Sequence, residues 1–149
     1  MQYLAFLILS LLASLAAAEP PTLDWSDVSE SARIKHSPIL VVFSAETCGY
    51  CMKLKHEVIE PLFNDPKKRN NLLIREFDIN AGGKIVDFNG EPIRSRQFKR
   101  RYGIFATPTL LILDAEGHPL TDPLVGYNSA NEYRELLHAS LVDSYRALK

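Results

Sequence analysis

Two cysteines separated by two residues carry the strongest chemical signal in this sequence, in the segment Cys48-Gly49-Tyr50-Cys51. Such a pair can exchange electrons with a disulfide, because one thiolate attacks it and the other thiol then resolves the mixed disulfide. A bond between these two cysteines would close a very short ring, which removes little chain entropy from the unfolded state. The spacing therefore favours thiol–disulfide exchange over structural cross-linking.

The position of each cysteine relative to the neighbouring elements predicts its role. The apolar run 39–43 predicts a buried strand, and the cysteines follow it at the point where a helix begins. Cys48 would lie at the helix N-terminus, where unpaired N–H groups and the helix dipole stabilise a thiolate. We therefore predict that Cys48 attacks the substrate and that Cys51, one turn later and more buried, resolves the mixed disulfide.

A zinc site is the alternative interpretation of the paired cysteines. Four-coordinate zinc would need two further ligands. The histidines of the chain show no paired ligand spacing; they are His36, His56, His118 and His138. We therefore expect no metal and no organic cofactor, with the Cys48–Cys51 disulfide itself as the redox group.

Hydrophobic periodicity, capping residues and turn residues predict the elements that position this motif. Leu54, Val58 and Leu62 form an apolar stripe on the helix that follows the cysteines, and Pro61 is expected to kink or end that helix. In chain order we predict helix 24–36, strand 39–43, helix 51–60, strand 72–79, hairpin 84–91, helix 95–102, strand 109–113, edge strand 120–125 and helix 129–148. This order predicts one α/β domain with a central mixed sheet flanked by helices, an N-terminal helix and a small insertion.

Composition and charge restrict the class of partner. The 149 residues are 46% hydrophobic and 23% charged, which is typical of one globular domain. The 17 basic and 18 acidic residues give a net charge of −1 and are mixed along the chain, so there is no electrostatic footprint for nucleic acid. We expect a monomer whose partners are proteins or small molecules.

The N-terminal segment has the layout of a signal peptide. Residues 1–18 contain no Asp, Glu, Lys or Arg, and an apolar run over 4–15 is followed by three alanines that end at Ala18. We expect cleavage after Ala18. An uncleaved anchor is less favoured, because the run is shorter than the ~20 residues that cross a bilayer. The expected organisation is a signal peptide at 1–18 and one domain at 19–149, in a periplasmic or otherwise exported protein.

Two separated segments resemble the thioredoxin superfamily, namely Phe43-Ser44-Ala45-Glu46-Thr47-Cys48-Gly49-Tyr50-Cys51 and Ile104-Phe105-Ala106-Thr107-Pro108-Thr109. The resemblance covers roughly residues 36 to 142 and implies a thioredoxin fold. It implies that Pro108 is cis and lies against the disulfide, and that the backbone of Thr107 pairs with an extended substrate segment. It also implies that Gly49 and Tyr50 contact the substrate. The alternative is that Pro108 only begins a strand.

Resemblances within the superfamily point to two different activities. Residues 84–90, Thr107-Pro108-Thr109 and Val125-Gly126-Tyr127 resemble thioredoxin-related periplasmic proteins of the SoxW type. The cysteine-bearing helix resembles that of DsbC-type disulfide isomerases. Those isomerases add a dimerisation domain and a helical insertion for which the mature chain has no room, so the first resemblance is favoured. It implies a membrane thiol transporter of the DsbD or CcdA kind as electron donor.

The sequence departs from ordinary thioredoxins in the strand before the motif. Val42 stands where thioredoxins carry a buried aspartate, so a proton acceptor for Cys51 is missing at that position. Glu76, in the next strand, could point toward the cysteines and act as the acid–base group. A solvated strand carboxylate is the alternative interpretation of Glu76.

Taken together, the residues and the resemblance predict an enzyme, an exported thiol–disulfide oxidoreductase. The favoured activity is that of a reductase that keeps the thiols of client proteins or small molecules reduced. A disulfide isomerase or oxidase is the alternative with the same chemistry, because small shifts in the stability of the Cys48 thiolate set the redox direction. A binding module with a permanently closed disulfide is the alternative from a different class.

Overall fold

The computed structural model describes residues 23–149, so the expected signal peptide at 1–18 lies outside the described residues. Within the described part of the chain, no helix is both long enough and apolar enough to cross a membrane. In chain order the elements are α1 Trp25–Lys35, β1 Ile39–Ser44, α2 Gly49–Leu54, a π turn Lys55–Ile59, α3 Glu60–Asn64, α4 Pro66–Arg69, β2 Leu73–Asp78, β3 Lys84–Val86, β4 Pro92–Arg94, α5 Ser95–Arg101, β5 Thr109–Leu113, β6 Leu124–Val125 and α6 Ala130–Ala147.

The central sheet has the strand order β2-β1-β5-β6. β1 runs parallel to β2 and antiparallel to β5, and β6 is antiparallel to β5. β3 and β4 form a separate antiparallel hairpin. The predicted α/β class, with a mixed sheet, an N-terminal helix and a small insertion, is therefore confirmed.

Both faces of β1 are buried, which explains its uninterrupted apolar sequence. Side chains alternate between the two faces of a strand. On one face Val41 packs with α1, α5 and the hairpin, where the rings of Trp25 and Phe98 stack at 4.7 Å. On the other face Leu40 and Val42 pack against α2 and α6. The sheet thus separates two apolar cores, and Val42 lies on the same side as the cysteine-bearing helix.

The first helix begins and ends close to where the sequence predicts. Asp24 caps the helix, since its carboxylate accepts a hydrogen bond from the backbone N–H of Ser26 at 2.8 Å. The bond from the Ser26 hydroxyl to the same carboxylate lowers the pKa of Asp24. His36 ends the helix in the left-handed region, with φ of 48°.

The helix after the cysteines does not end at Pro61. It continues as α2, the π turn and α3, from Gly49 to Asn64. Pro61 has no N–H to bond the carbonyl of Glu57 four residues earlier. Arg134 of α6 donates to this carbonyl from Nη2 at 2.6 Å, and the helix adopts its π turn at the same place. The proline is therefore accommodated by a wider turn and by a hydrogen bond from α6.

The predicted hairpin forms, but its second strand lies beyond the predicted span 84–91. Residues 87–91 make the turn, and β4 starts at Pro92. The carboxylate of Asp87 is buried and accepts from both Nη atoms of Arg101, which fixes the hairpin to α5. This bidentate hydrogen bonding holds the pKa of Asp87 below its usual value.

The tight turn that follows β5, at residues 114–117, packs against the same hairpin. Gly117 has φ of +84°, and a Cβ atom at this position would lie 2.5 Å from Cδ2 of Phe88. Only glycine satisfies both the backbone conformation and the close approach.

The edge strand is shorter than the predicted span 120–125. Leu120 donates a hydrogen bond to the carbonyl of Ile112 at 2.8 Å, but the chain then leaves the sheet until β6. Pro123 lies in this interval and has no N–H for the sheet, which agrees with the interruption.

Candidate active site

The two cysteines lie where β1 delivers the chain to α2, and they form a disulfide with Cα atoms 5.2 Å apart. Cys48 is the N-cap residue of α2, and its sulfur accepts a hydrogen bond from the backbone N–H of Cys51 at 3.1 Å. An unpaired helix N–H aimed at a sulfur is the contact that stabilises a thiolate after reduction.

The two sulfur-bearing residues differ in exposure. Cys48 is partly exposed, whereas Cys51 retains only 7% of its accessible surface. Gly49 and Tyr50, between them, are exposed, and the ring of Tyr50 lies 5.9 Å from the ammonium of Lys53. A substrate approaching from solvent would therefore meet Cys48 and Tyr50 before it could reach Cys51.

The loop before β5 brings Thr107 and Pro108 to the same end of the sheet. The Thr107–Pro108 peptide bond is cis. In the register of β1 and β5, Phe43 is opposite Thr109, so Pro108 lies next to the end of the strand that leads to the cysteines. Pro108 is buried, and its carbonyl accepts from the N–H of Gly126 at 2.8 Å.

Glu76 lies on the strand beside the position where the expected aspartate is missing. In the parallel register, Glu76 of β2 is opposite Val42 of β1. Its Oε1 accepts from the hydroxyl of Ser44 at 2.8 Å, and its Oε2 accepts from Nζ of Lys55 at 3.1 Å. This protein thus carries a carboxylate on β2, the strand next to the one on which thioredoxins carry their aspartate. The hydroxyl of Ser44 and the ammonium of Lys55 fix the orientation of this carboxylate.

A cavity of about 270 Å³ joins this carboxylate to the buried cysteine. Cys51, Glu76, Ser44 and Lys55 all line it, together with apolar side chains that include Val42. The cavity is large enough for water, and its polar lining can hydrogen-bond to water. Cys51 and the Glu76 carboxylate therefore face one space that can hold water.

The sequence matches a model of a known protein family, and this match agrees with the fold. A family model described as a thioredoxin-like domain matches residues 26–141. This chain belongs to the thioredoxin-like family. The matched residues include β1, the cysteine-bearing helix and the loop that contains Pro108, and the match confirms the resemblance to the thioredoxin superfamily. None of the curated proteins compared with the sequence matches it.

Solved structures share this fold at low sequence identity. A thioredoxin-fold protein from Helicobacter pylori aligns with a TM-score of 0.56 and 21% identity, covering 74% of this chain and 72% of that chain. The periplasmic thioredoxin SoxS from Paracoccus pantotrophus aligns with a TM-score of 0.51 and 14% identity, covering 72% and 99%. DsbH oxidoreductase aligns with a TM-score of 0.55 and 20% identity, covering 90% and 92%. These structural alignments show that the proteins share a fold.

One hydrogen-bonded connection in this thioredoxin-like domain was not predicted from the sequence. The hydroxyl of buried Tyr127 donates to the carboxylate of Glu57, whereas the preceding Gly126 donates to Pro108. Burial, followed by the bond to Glu57, raises the pKa of Tyr127 to about 12. The connection ties the cysteine-bearing helix to the cis-proline loop through the loop after β6.

The sequence did contain signals for the residues that were missed. Lys55 follows Cys51 by four residues, which places both on one side of a helix. Ser44 follows Val42 by two residues, which places both on one face of β1. Spacing alone could therefore have grouped Lys55 with Cys51 and Ser44 with Val42, although it could not have identified Glu76 as the common partner of Ser44 and Lys55.

Within 23–149, no three His, Cys, Asp or Glu side chains are grouped as ligands. His56 and His118 each lie next to a carboxylate four residues away, Glu60 and Asp114 respectively.

Proposed function

We propose that this protein is an exported thiol–disulfide reductase that keeps the thiols of client proteins or small molecules reduced. The observation that carries the proposal is the asymmetry of the cysteine pair: Cys48 caps the helix and is partly exposed, whereas Cys51 is buried behind it. Membership of the thioredoxin-like family supports the same class of chemistry. The proposed reaction uses no metal or organic cofactor.

The proposed reaction begins with the reduced protein. The Cys48 thiolate attacks one sulfur of a client disulfide, forms a mixed disulfide and releases the first client thiolate. Cys51 loses its proton and attacks the sulfur of Cys48, which releases the second client thiolate. Protons from solvent and from Cys51 convert the two client thiolates to thiols. The client gains two electrons, and the protein ends with the Cys48–Cys51 disulfide seen in the structure.

Glu76 is proposed as the group that takes the proton from Cys51. The cavity that both residues line supports a transfer through water, since general-base catalysis requires a hydrogen-bonded path. The Ser44 hydroxyl would hold the carboxylate in place, and Lys55 would stabilise its charge between proton transfers.

The surface around Cys48 supports protein clients. Tyr50 is 61% exposed, and Phe105, in the loop before Pro108, is 85% exposed. Large exposed rings commonly mark interaction surfaces. We propose that an extended client segment lies along Thr107 and Pro108, that Gly49 and Tyr50 contact it, and that its disulfide is thereby presented to Cys48.

The proposed location is the periplasm or another compartment outside the cytoplasm. The signal-peptide layout of residues 1–18 supports export, and one structural neighbour is named a periplasmic thioredoxin. An exported reductase needs a source of electrons, and a membrane thiol transporter of the DsbD or CcdA kind is proposed as donor. The protein is proposed to act as a monomer.

Trapping of mixed disulfides tests the proposal. In the exporting cell, Cys51→Ser should accumulate adducts through Cys48 that disappear on reduction and that include a membrane thiol donor. Cys48→Ser is the matched control and should accumulate few or none. Capture of reduced client proteins without a membrane donor would indicate an oxidase instead. A wild-type disulfide that does not react with mild dithiols would indicate a binding module and overturn the proposal.

The redox direction can be measured independently. Equilibration of the purified protein in glutathione buffers gives the reduction potential of the Cys48–Cys51 pair. A reductase should have a potential close to that of thioredoxins, about −270 mV, whereas a potential near about −120 mV would fit an oxidase.

A further inference from the structure

A groove of about 750 Å³ lies between α6 and the α3–α4 segment, beside the start of β1. Its floor consists of buried apolar side chains, including Val58, Leu62, Leu72 and Leu137. Binding sites for small molecules have volumes of about 300–1,000 Å³ and are lined mostly by apolar groups. The groove therefore has the size and the lining of a ligand site.

This groove is separate from the redox site. Neither cysteine, Pro108 nor Glu76 lines it. Ser37, which does line it, precedes β1, whereas Cys48 follows that strand. A strand of six residues spans about 20 Å, so the two sites lie near opposite ends of β1.

The rim of the groove is cationic. Lys67 and Lys68 of α4 lie on one side, and Arg134 of α6 lies on the other. No carboxylate side chain lines the groove, and neither lysine forms an ion pair with any residue of the described chain. Arg134 donates to the backbone carbonyl of Glu57 and to the side-chain carbonyl of Asn131, and it forms no ion pair within residues 23–149. An anionic group at this rim would find several cations that lack a carboxylate partner.

The polar groups inside the groove are poorly suited to a peptide. The backbone carbonyl of Asn71 already accepts from the hydroxyl of Tyr145, and the carbonyl of Lys67 accepts from the Asn71 amide at 3.2 Å. A bound peptide would bring backbone N–H groups that each need an acceptor. A hydrocarbon chain needs none, so the floor favours an alkyl ligand.

We propose that this groove binds a single-chain amphiphile with an anionic head group, of which an alkyl carboxylate is the simplest form. The chain lies on the apolar floor, and the carboxylate lies between Lys67 and Lys68. This site does not depend on the redox activity of the cysteine pair.

Calorimetric titration of the purified protein with octanoate, decanoate and dodecanoate, each below its micelle concentration, tests both parts of the proposal. Each two-carbon extension should tighten binding, by up to about fourfold in Kd per buried methylene, which corresponds to about 0.8 kcal/mol. A trimethylammonium amphiphile of the same chain length as decanoate should bind about tenfold more weakly or not at all, because the rim is cationic. Absence of saturable dodecanoate binding, or an affinity independent of chain length, would overturn the proposal.

Charge reversal locates the head group. The double variant Lys67→Glu/Lys68→Glu should weaken decanoate binding by about tenfold, because both cations become anions at the rim. The matched control is Arg96→Glu/Arg100→Glu, which makes the same change in net charge at exposed positions of α5 and should alter the affinity by less than about twofold. Equal losses in the two double variants would refute the placement.

Two further readouts separate this site from the redox site and from unfolding. The thermal midpoint of Lys67→Glu/Lys68→Glu should stay close to that of the wild type, since both lysines are exposed. Its disulfide reductase rate should also be unchanged. A loss of that rate in a folded variant would contradict the independence of the two sites, whereas an inactive wild type would refute the proposed function and leave the binding test intact.

Discussion

Replacement of Glu76 by glutamine should slow the second half of the disulfide exchange and leave the first half unchanged. The amide has nearly the same shape and can still accept the hydrogen bond from Ser44, but it cannot take a proton at neutral pH. The attack by Cys48 needs no proton acceptor once its thiolate is formed, whereas Cys51 must lose a proton before it can attack.

The size of the effect follows from the surroundings of the carboxylate. General-base assistance typically contributes about 10²- to 10⁴-fold. The Glu76 side chain is 51% exposed, and it accepts hydrogen bonds from both Lys55 and Ser44. Because half of the side chain is exposed, water can still accept the proton of Cys51 when the carboxylate is absent, which reduces the expected loss. We therefore expect a reduction of about 30-fold in the resolving step, equivalent to about 2 kcal/mol in its barrier.

Stopped-flow reaction of the reduced protein with a limiting amount of an aromatic disulfide that releases a coloured thiol separates the two steps. The first release reports the attack by Cys48, and the second reports resolution by Cys51. Glu46→Gln is the matched control, because Glu46 is exposed close to Cys48 and the variant makes the same charge change. The reasoning is refuted if Glu76→Gln resolves at the wild-type rate, if its first step slows equally, or if Glu46→Gln slows the second step as much.

Graded-pH alkylation of the reduced protein, with peptide mapping, should label Cys48 before Cys51 and give an apparent pKa below the ~8.5 of a free thiol; faster labelling of Cys51 would reverse the assigned roles. Asp87→Asn should lower the free energy of unfolding most at pH values above about 4, because the lowered pKa of Asp87 stabilises the fold there and this contribution is lost as pH falls through the folded-state pKa. Chemical denaturation across pH measures it, and a constant difference down to pH 2 would contradict it. Gly117→Ala should destabilise by about 2 kcal/mol more than Gly90→Ala, since both have positive φ but only Gly117 faces an aromatic ring; equal midpoint shifts in urea would contradict the packing argument.

Much of the fold could be predicted because local signals and tertiary packing agree. The apolar run of β1 required burial on two faces, and the structure provides a core on each side. Asp24 and Ser129 cap the two helices whose predicted spans begin at these residues. In contrast, the continuation of the helix past Pro61 could not be predicted from nearby residues. Arg134, more than seventy residues later in the chain, donates to the Glu57 carbonyl that Pro61 leaves without its helical N–H partner.

Some residues of the candidate site could be placed from the sequence, whereas the orientation of another could not. Cys48 and Cys51 could be placed from the strand and helix pattern alone, because their positions depend on adjacent residues. The orientation of Glu76 depends on the register of β1 and β2, which pairs it with Val42 and brings it within reach of Ser44. A parallel register between distant segments leaves no periodic signal in either strand, so sequence reasoning could name the carboxylate but not its partners.

The π turn between α2 and α3 has a consequence for comparing this helix with those of relatives. A π turn holds one residue more than an α turn of the same rise. An alignment with a relative whose helix is α throughout must therefore place a one-residue gap within Lys55–Ile59. Without that gap, every residue from Glu60 to Asn64 would be matched to a neighbour that faces a different direction, and the apolar positions of the two helices would seem not to correspond.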